Sequence, residues 1–237
     1  MANSSYVALA TNIFTAPREA FAALKEQPRV LLPVVVLLIG FSAVSFYFLS
    51  HVDMGFFLDN QLRAGNANIT DAQREQAVGA AAKIPPLVYG AIGAVSSIFF
   101  VFLIIFLVAS YYTVVSFATS DGVKLKQWFA FVWWCTLPVV FGLAATLVNL
   151  SIQDARFMLQ DAINPLAFGN LLAIERTAAT PVMSRILLGL DLFTIWSLAL
   201  SAIGYQQWTG KSFVKCVAIV LGPLALIVVI AALVALR

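Results

Sequence analysis

Long apolar stretches separated by polar segments dominate the pattern of this chain. A helix needs about 20 residues, at a rise of about 1.5 Å each, to cross the ~30 Å hydrocarbon core of a bilayer. Five stretches meet this requirement, at Val30–Ser50, Leu87–Ala109, Trp128–Leu150, Ile186–Gln206 and Val214–Leu236. The pattern therefore predicts an all-α integral membrane protein, a bundle of five transmembrane helices formed by residues 30–237.

The segment before the first stretch, residues 1–29, is predicted to contain an amphipathic helix. At 100° per residue, Phe14 and Phe21 fall on one apolar side, with Arg18 and Lys25 at its rim. One interpretation places this helix on an anionic membrane surface, with these four residues in contact with lipid. The alternative packs the same face against the bundle, and the sequence favours neither.

Two connections, between the first and second stretches and between the third and fourth, are too long to be simple turns. In the first connection, Thr70 and Gln73 form a capping box that opens a helix ending near Ala82. In the second, the pattern predicts one helix over Ser151–Ala162 and another around Leu166–Arg176. We expect these connections to form a helical cap on one face of the membrane.

The distribution of lysine predicts the orientation. The two other connections are very short, and lysines stand in or beside them at Lys124, Lys126, Lys211 and Lys215. Because positive charge concentrates on the cytoplasmic side, we expect a cytoplasmic N-terminus and both long connections outside. The expected location is the inner membrane of a bacterium.

Composition excludes several classes of protein. Apolar residues make up 62% of the chain and charged residues 11%, with a mean hydropathy of +0.94. Such a chain lacks the polar surface of a soluble domain, so its main partner is the lipid bilayer. The net charge is +3, but the basic residues are scattered, so no nucleic-acid partner is predicted.

Residues able to perform catalysis are too few for an enzyme. The chain has one histidine, His51, and its two cysteines form no Cys-x-x-Cys pair. Neither a nucleophile with a base nor a set of metal ligands can be assembled from this inventory. We therefore predict no catalytic residues, no metal and no cofactor.

Asp191 is the one carboxylate within an apolar stretch, where its insertion costs about 3 kcal/mol. One interpretation is a proton or cation site in a small transporter or channel, with Asn149 and Ser97 lining a polar path. The other is a carboxylate at the membrane interface, either hydrated or bonded to a neighbouring helix end. We favour the second because the stretches contain no other carboxylate that could continue a path.

Small residues and aromatic residues indicate packing. Gly90, Gly93 and Ser97 recur at helical spacing in the second stretch, which lets helices approach closely in lipid. We favour packing within the bundle over dimerisation, although the same stripe is compatible with a homo-oligomer. Trp128, at the start of the third stretch, is expected in an interfacial aromatic belt.

Several segments resemble the bacterial branch of the Yip family, the Ypt- and Rab-interacting membrane proteins. The resemblance is carried by Ile13–Phe21, Trp134–Pro138 and Asp191–Trp196 with Gly204, and it covers nearly the whole chain. It implies five spans and a cytosolic N-terminus. The Asp-Leu-Tyr-Gly-Pro signature of the eukaryotic members, which are linked to vesicle traffic and small GTPases, is absent here.

Some bacterial relatives act as accessory subunits beside ABC-type exporters, and the family offers no catalytic residues to carry over. The expected function is therefore a non-enzymatic membrane protein that organises or supports other membrane proteins, exporter subunits among them. The transporter or channel built on Asp191 is the alternative.

Overall fold

The computed structural model describes residues 5–65, 69–173 and 186–235. The helices are α1 Tyr6–Thr15, α2 Pro17–Glu26, α3 Leu31–His51, α4 Met54–Gly65, α5 Asp71–Ala81, α6 Pro86–Ala118, α7 Leu125–Thr136, α8 Val139–Ile152, α9 Phe168–Leu171, α10 Leu192–Thr209 and α11 Phe213–Ala235. Two 3-10 turns, Ala155–Phe157 and Gln160–Ala162, follow α8. The predicted all-α class is confirmed.

Three of the helices are long and apolar enough to cross a membrane: α3, α6 and the Phe213–Ile230 part of α11. The pair α7 and α8, bent by 44°, gives a fourth if it is counted as one span. The remaining predicted span corresponds to α10, which has only 18 residues and carries Gln206 and Gln207 near its end. The described residues thus contain three to four candidate spans, and the exact count of five is not confirmed.

Helix α6 continues beyond the predicted span to Ala118 and packs antiparallel to α3. The Ser42 hydroxyl lies 3.4 Å from that of Ser97, which fixes the register of the pair. With 33 residues, α6 is about 50 Å long, whereas α3 has 21 residues and spans about 32 Å. In this register α6 extends about three turns beyond the start of α3. We call the side of this extension, where α2 also lies, the N-terminal end of the bundle, and the opposite side the loop end.

Proline shapes two of the apolar stretches. Pro138 has no N–H to donate to the carbonyl of Trp134, and the third stretch accordingly divides into α7 and α8. Pro223 lies inside α11 and likewise cannot donate to the carbonyl of Ile219. There the hydroxyl of Tyr111 on α6 donates instead, at 2.9 Å.

The N-terminal amphipathic segment forms two helices, not one. Ala16 separates α1 from α2 with φ −144° and ψ 63°, since a residue before proline is disfavoured in the α region and Pro17 follows it. Phe14 therefore belongs to α1, whereas Arg18, Phe21 and Lys25 belong to α2.

The connections at the loop end agree with the sequence only in part. The capping box of Thr70 and Gln73 is present and opens α5, as predicted. The helix predicted over Ser151–Ala162 is wrong, because α8 ends at Ile152 and two 3-10 turns follow. Of the helix around Leu166–Arg176, only Phe168–Leu171 is helical, and residues 174–176 lie outside the described residues. In the fourth stretch, residues 186–189 are helical, residues 190 and 191 interrupt the helix, and α10 begins at Leu192.

The Tyr111 hydrogen bond can be tested by a double-mutant cycle. Tyr111→Phe leaves the Ile219 carbonyl without a donor, so we expect the free energy of unfolding in mild detergent to fall by about 1–2 kcal/mol. Pro223→Ala restores a backbone N–H four residues after Ile219. In that background Tyr111→Phe should cost only a few tenths of a kcal/mol, and an equal cost in both backgrounds would contradict the explanation.

Candidate functional site

Six aromatic rings from four helices pack together at the N-terminal end. This aromatic cluster consists of Phe21 of α2, Tyr112 of α6, Trp128 and Phe131 of α7, and Tyr205 and Trp208 of α10, with neighbouring ring centroids 5.0–5.7 Å apart. Trp128 is fully buried in it, so its predicted place in an interfacial belt is wrong. The cluster holds α2 against the bundle.

Side chains from the bundle also bind the backbone of α2 and the segment that follows it. Trp208 donates its indole N–H to the carbonyl of Phe21 at 2.7 Å. Gln127 donates to the carbonyl of Lys25 at 2.8 Å, and Trp134 to that of Arg29 at 2.6 Å. The carbonyls of Lys25 and Arg29 lie at or beyond the last turn of α2, where helical partners run out. We call these three bonds the backbone clamp.

The four candidate membrane-surface residues all contact the bundle. Phe21 has no exposed surface, so its ring is a core residue and its assignment to the membrane surface is corrected. Phe14 packs its ring edge-on against Phe141 and Trp196. Arg18 binds the side chain of Gln206 at 3.1 Å, and Lys25 donates to the carbonyl of Trp208 at 2.6 Å. These contacts support the packing alternative.

A buried ion pair joins the two short connections at the N-terminal end. Lys211, just after α10, binds the carboxylate of Asp121, just after α6. The same carboxylate accepts from the hydroxyls of Thr119 at 2.6 Å and Tyr205 at 3.4 Å. The Asp121 side chain is only 6% exposed, so this pair lies largely out of water.

The charge state of Asp121 follows from these partners. Burial raises the pKa of the carboxyl, but the hydrogen bonds from Lys211 and Thr119 and the charge of Lys211 outweigh it. The pKa therefore lies below its ordinary value, and Asp121 is ionised at neutral pH. Sequence alone does not reveal this pair, because its members are 90 residues apart and only the fold brings them together.

Asp191 caps α10 and lies beside Gly142 of α8 and the second long connection. One carboxylate oxygen accepts from the backbone N–H of Thr194 at 2.7 Å and from its hydroxyl at 2.8 Å. The other accepts from the side chain of Asn164 at 2.9 Å. Its side chain also faces Gly142 of α8, where an added Cβ would lie 3.1 Å from the carboxylate. A carboxylate at the N-cap accepts hydrogen bonds from free backbone amide groups, and the positive end of the helix dipole stabilises its charge.

Asn149 belongs to a neighbouring set of contacts that fixes the second long connection. Its side chain donates to the carbonyls of Ala162 at 3.3 Å and Ile163 at 3.2 Å, and it accepts from Gln153. Asn170 likewise binds the carbonyls of Asp161 and Asn164. Asn149 therefore stabilises a loop and does not face Asp191 across a path.

The small residues of α6 lie against α3. A Cβ added at Gly90 would lie 3.0 Å from the carbonyl oxygen of Phe46, and one added at Gly93 would collide with Leu49. Ser97 contacts Ser42. The stripe thus permits close packing of two helices within one chain.

Residues with metal-binding side chains are dispersed. In the three described ranges, no group of three or more His, Cys, Asp and Glu side chains is close enough to hold a metal ion. Cys135 and Cys216 are both buried and free.

The structure is that of an α-helical multi-pass membrane protein. It has several apolar helices, buried aromatic packing, and polar side chains that bind the ends of helices. The sequence profile of the Yip1 domain matches residues 11–236, and the chain belongs to this family. Neither a curated protein nor a solved structure matches it significantly.

The Asp121–Lys211 pair predicts a dependence of stability on acid pH. The pKa of Asp121 in the folded protein lies below its unfolded value of about 3.9. Above the unfolded pKa, the pair therefore makes its full contribution to stability. This contribution is lost as the pH falls through the folded pKa. Asp121→Asn should remove this acid-side loss in detergent unfolding curves. Lys211→Met should lower the free energy of unfolding at neutral pH by about 3 kcal/mol, more than Asp121→Asn does, because it leaves a buried carboxylate without a cation.

The exposed pair of Asp154 and Arg156 provides the control. Asp154→Asn should change stability little, as is usual for surface ion pairs. An acid-side loss that persists in Asp121→Asn would show that other carboxylates cause it.

Proposed function

We propose that this chain is a non-enzymatic membrane protein that organises or supports other membrane components through its helical faces. The proposal includes five spans, a cytoplasmic N-terminus and a place in the inner membrane of a bacterium. Its more specific form, which comes from the resemblance to bacterial Yip proteins, is an accessory subunit beside an ABC-type exporter.

The observation that carries the proposal is the use of Asp191. Both oxygens of its carboxylate are hydrogen-bonded within the protein, to Thr194 and Asn164. A transported proton or cation would have to displace bonds that begin α10 and hold the second long connection. This arrangement favours a structural role for Asp191 over a transport role.

A surface for partners is offered by the extension of α6 beyond α3. Phe117 lies about 14 Å beyond the level of the start of α3 and is 88% exposed. Because α3 alone matches the thickness of the hydrocarbon core, Phe117 lies outside that core in this register. We propose that this exposed ring is available for contact with another membrane protein.

The five-span topology predicts which positions reagents reach from outside. In a chain with Cys135→Ala and Cys216→Ala, cysteines introduced by Glu75→Cys and Asp154→Cys should react with an impermeant maleimide in intact cells. Lys126→Cys should react only after the membrane is opened. All three positions are exposed, so burial does not limit the reaction. The reverse pattern would invert the topology.

The function is tested by flux and by partner recovery on the same variants. Wild-type protein in liposomes should give no proton or cation flux above empty vesicles. Purified in mild detergent, it should retain a stoichiometric membrane partner, identified by mass spectrometry. Asp191→Asn should retain this partner, because asparagine also caps helices, whereas Asp191→Leu should weaken folding and recovery together.

Phe117→Ser should reduce partner recovery several-fold without changing the unfolding midpoint. Val95→Ser is the matched control, since Val95 is 69% exposed on α6 but lies at the level of the membrane. A robust flux from wild-type protein that disappears in Asp191→Asn would contradict the proposed organising role and support the transporter or channel hypothesis.

A further inference from the structure

A groove runs along the membrane-level part of α6. Its main cavity has a volume of about 560 Å³ and is walled by α6, α10 and α11, with the α7–α8 break as its floor. A second cavity of about 310 Å³ adjoins it toward the loop end and shares Ser97 and Phe100 with it.

The walls of the main cavity are apolar in spite of the hydroxyl groups they contain. Ser197, Ser201 and Thr136 donate to backbone carbonyls of their own helices at 2.8–2.9 Å. Ser97 does the same, and Thr194 binds Asp191. The serine and threonine hydroxyls are thus satisfied, and the groove offers a ligand mainly hydrocarbon surface.

The dimensions decide between two kinds of apolar occupant. From Ser97 to Tyr112 the main cavity follows α6 for about 22 Å. Spread over that length, a volume of about 560 Å³ open to the centres of water molecules leaves a mean free width of about 8 Å once the radius of a water molecule is added on each side. A helix with its side chains needs 10–12 Å, so a transmembrane helix is too wide. A single hydrocarbon chain fits.

The groove is also open sideways to its surroundings. Phe100 and Ile104, which line it, remain 59% and 56% exposed. Because α6 is a membrane-crossing helix by length and composition, the molecules beside this opening are bilayer lipids.

We propose that the groove between α6, α10 and α11 is a lipid site that holds one acyl chain of a membrane phospholipid. The contact is apolar along its length, so specificity comes from the shape and length of the groove and not from hydrogen bonds.

The test uses the full chain in liposomes that contain a phosphatidylglycerol with a diazirine in its acyl chain. After irradiation, peptide mass spectrometry should find adducts on Ile104, Val108 and Leu198 in several-fold excess over Leu103 and Phe106. The last two residues are exposed on α6 at a similar depth but do not line the groove.

Ile104→Trp should fill the groove and reduce adducts on Val108 and Leu198 several-fold. Leu103→Trp, a matched change one residue away, should leave them unchanged. Equal labelling of the groove residues and of Leu103 and Phe106 in the wild-type protein would overturn the proposal. This comparison does not depend on whether the Ile104→Trp variant folds. Cross-links between two copies of the chain at Ile104 would also overturn it, because they would show that a second copy of the protein occupies the groove.

Discussion

The need to satisfy backbone polar groups without water governs this structure. Within a bilayer, a carbonyl freed by proline or by a helix end must find a donor inside the protein. Tyr111 binds the carbonyl that Pro223 leaves free, and two bonds of the backbone clamp bind the carbonyls of Lys25 and Arg29, at and beyond the end of α2. At the start of α10, Asp191 performs the converse task by accepting from an unpaired amide group. Side chains therefore complete helices that the sequence interrupts.

Predictions from the sequence succeeded where the determinants are local. The capping box at Thr70 and the start of α5 depend on residues three positions apart, and both are present. The helix over Ser151–Ala162 failed because Gln153 adopts an extended backbone that ends α8, and Asp154 then caps a new 3-10 turn by accepting from the backbone N–H of Arg156. Apolar length located the stretches, but it could not show that α10 begins only at Leu192, where Asp191 provides its cap.

The sequence singled out some residues of the candidate site, but it did not show which side chains contact one another. Asp191 stood out because a carboxylate in an apolar stretch is costly, but the sequence left open whether it is hydrated or bonded, and the structure shows both of its oxygens bonded. Asp121 and Lys211 carried no such signal, since each lies in a polar connection. Their pairing depends on the packing of α6 against α10 through the aromatic cluster. Long-range side-chain contacts of this kind are not encoded in periodicity or spacing.

The backbone clamp has a consequence for biosynthesis. The indole that binds the carbonyl of Phe21 belongs to Trp208, 187 residues later in the chain. During translation α2 leaves the ribosome before α7 and α10, so its contacts form in two stages. Once α7 is present, Phe131 covers part of Phe21, and Gln127 and Trp134 bind the carbonyls of Lys25 and Arg29. The bond from Trp208 forms only after α10 has been made, so the amino-terminal segment is fully attached to the bundle only then.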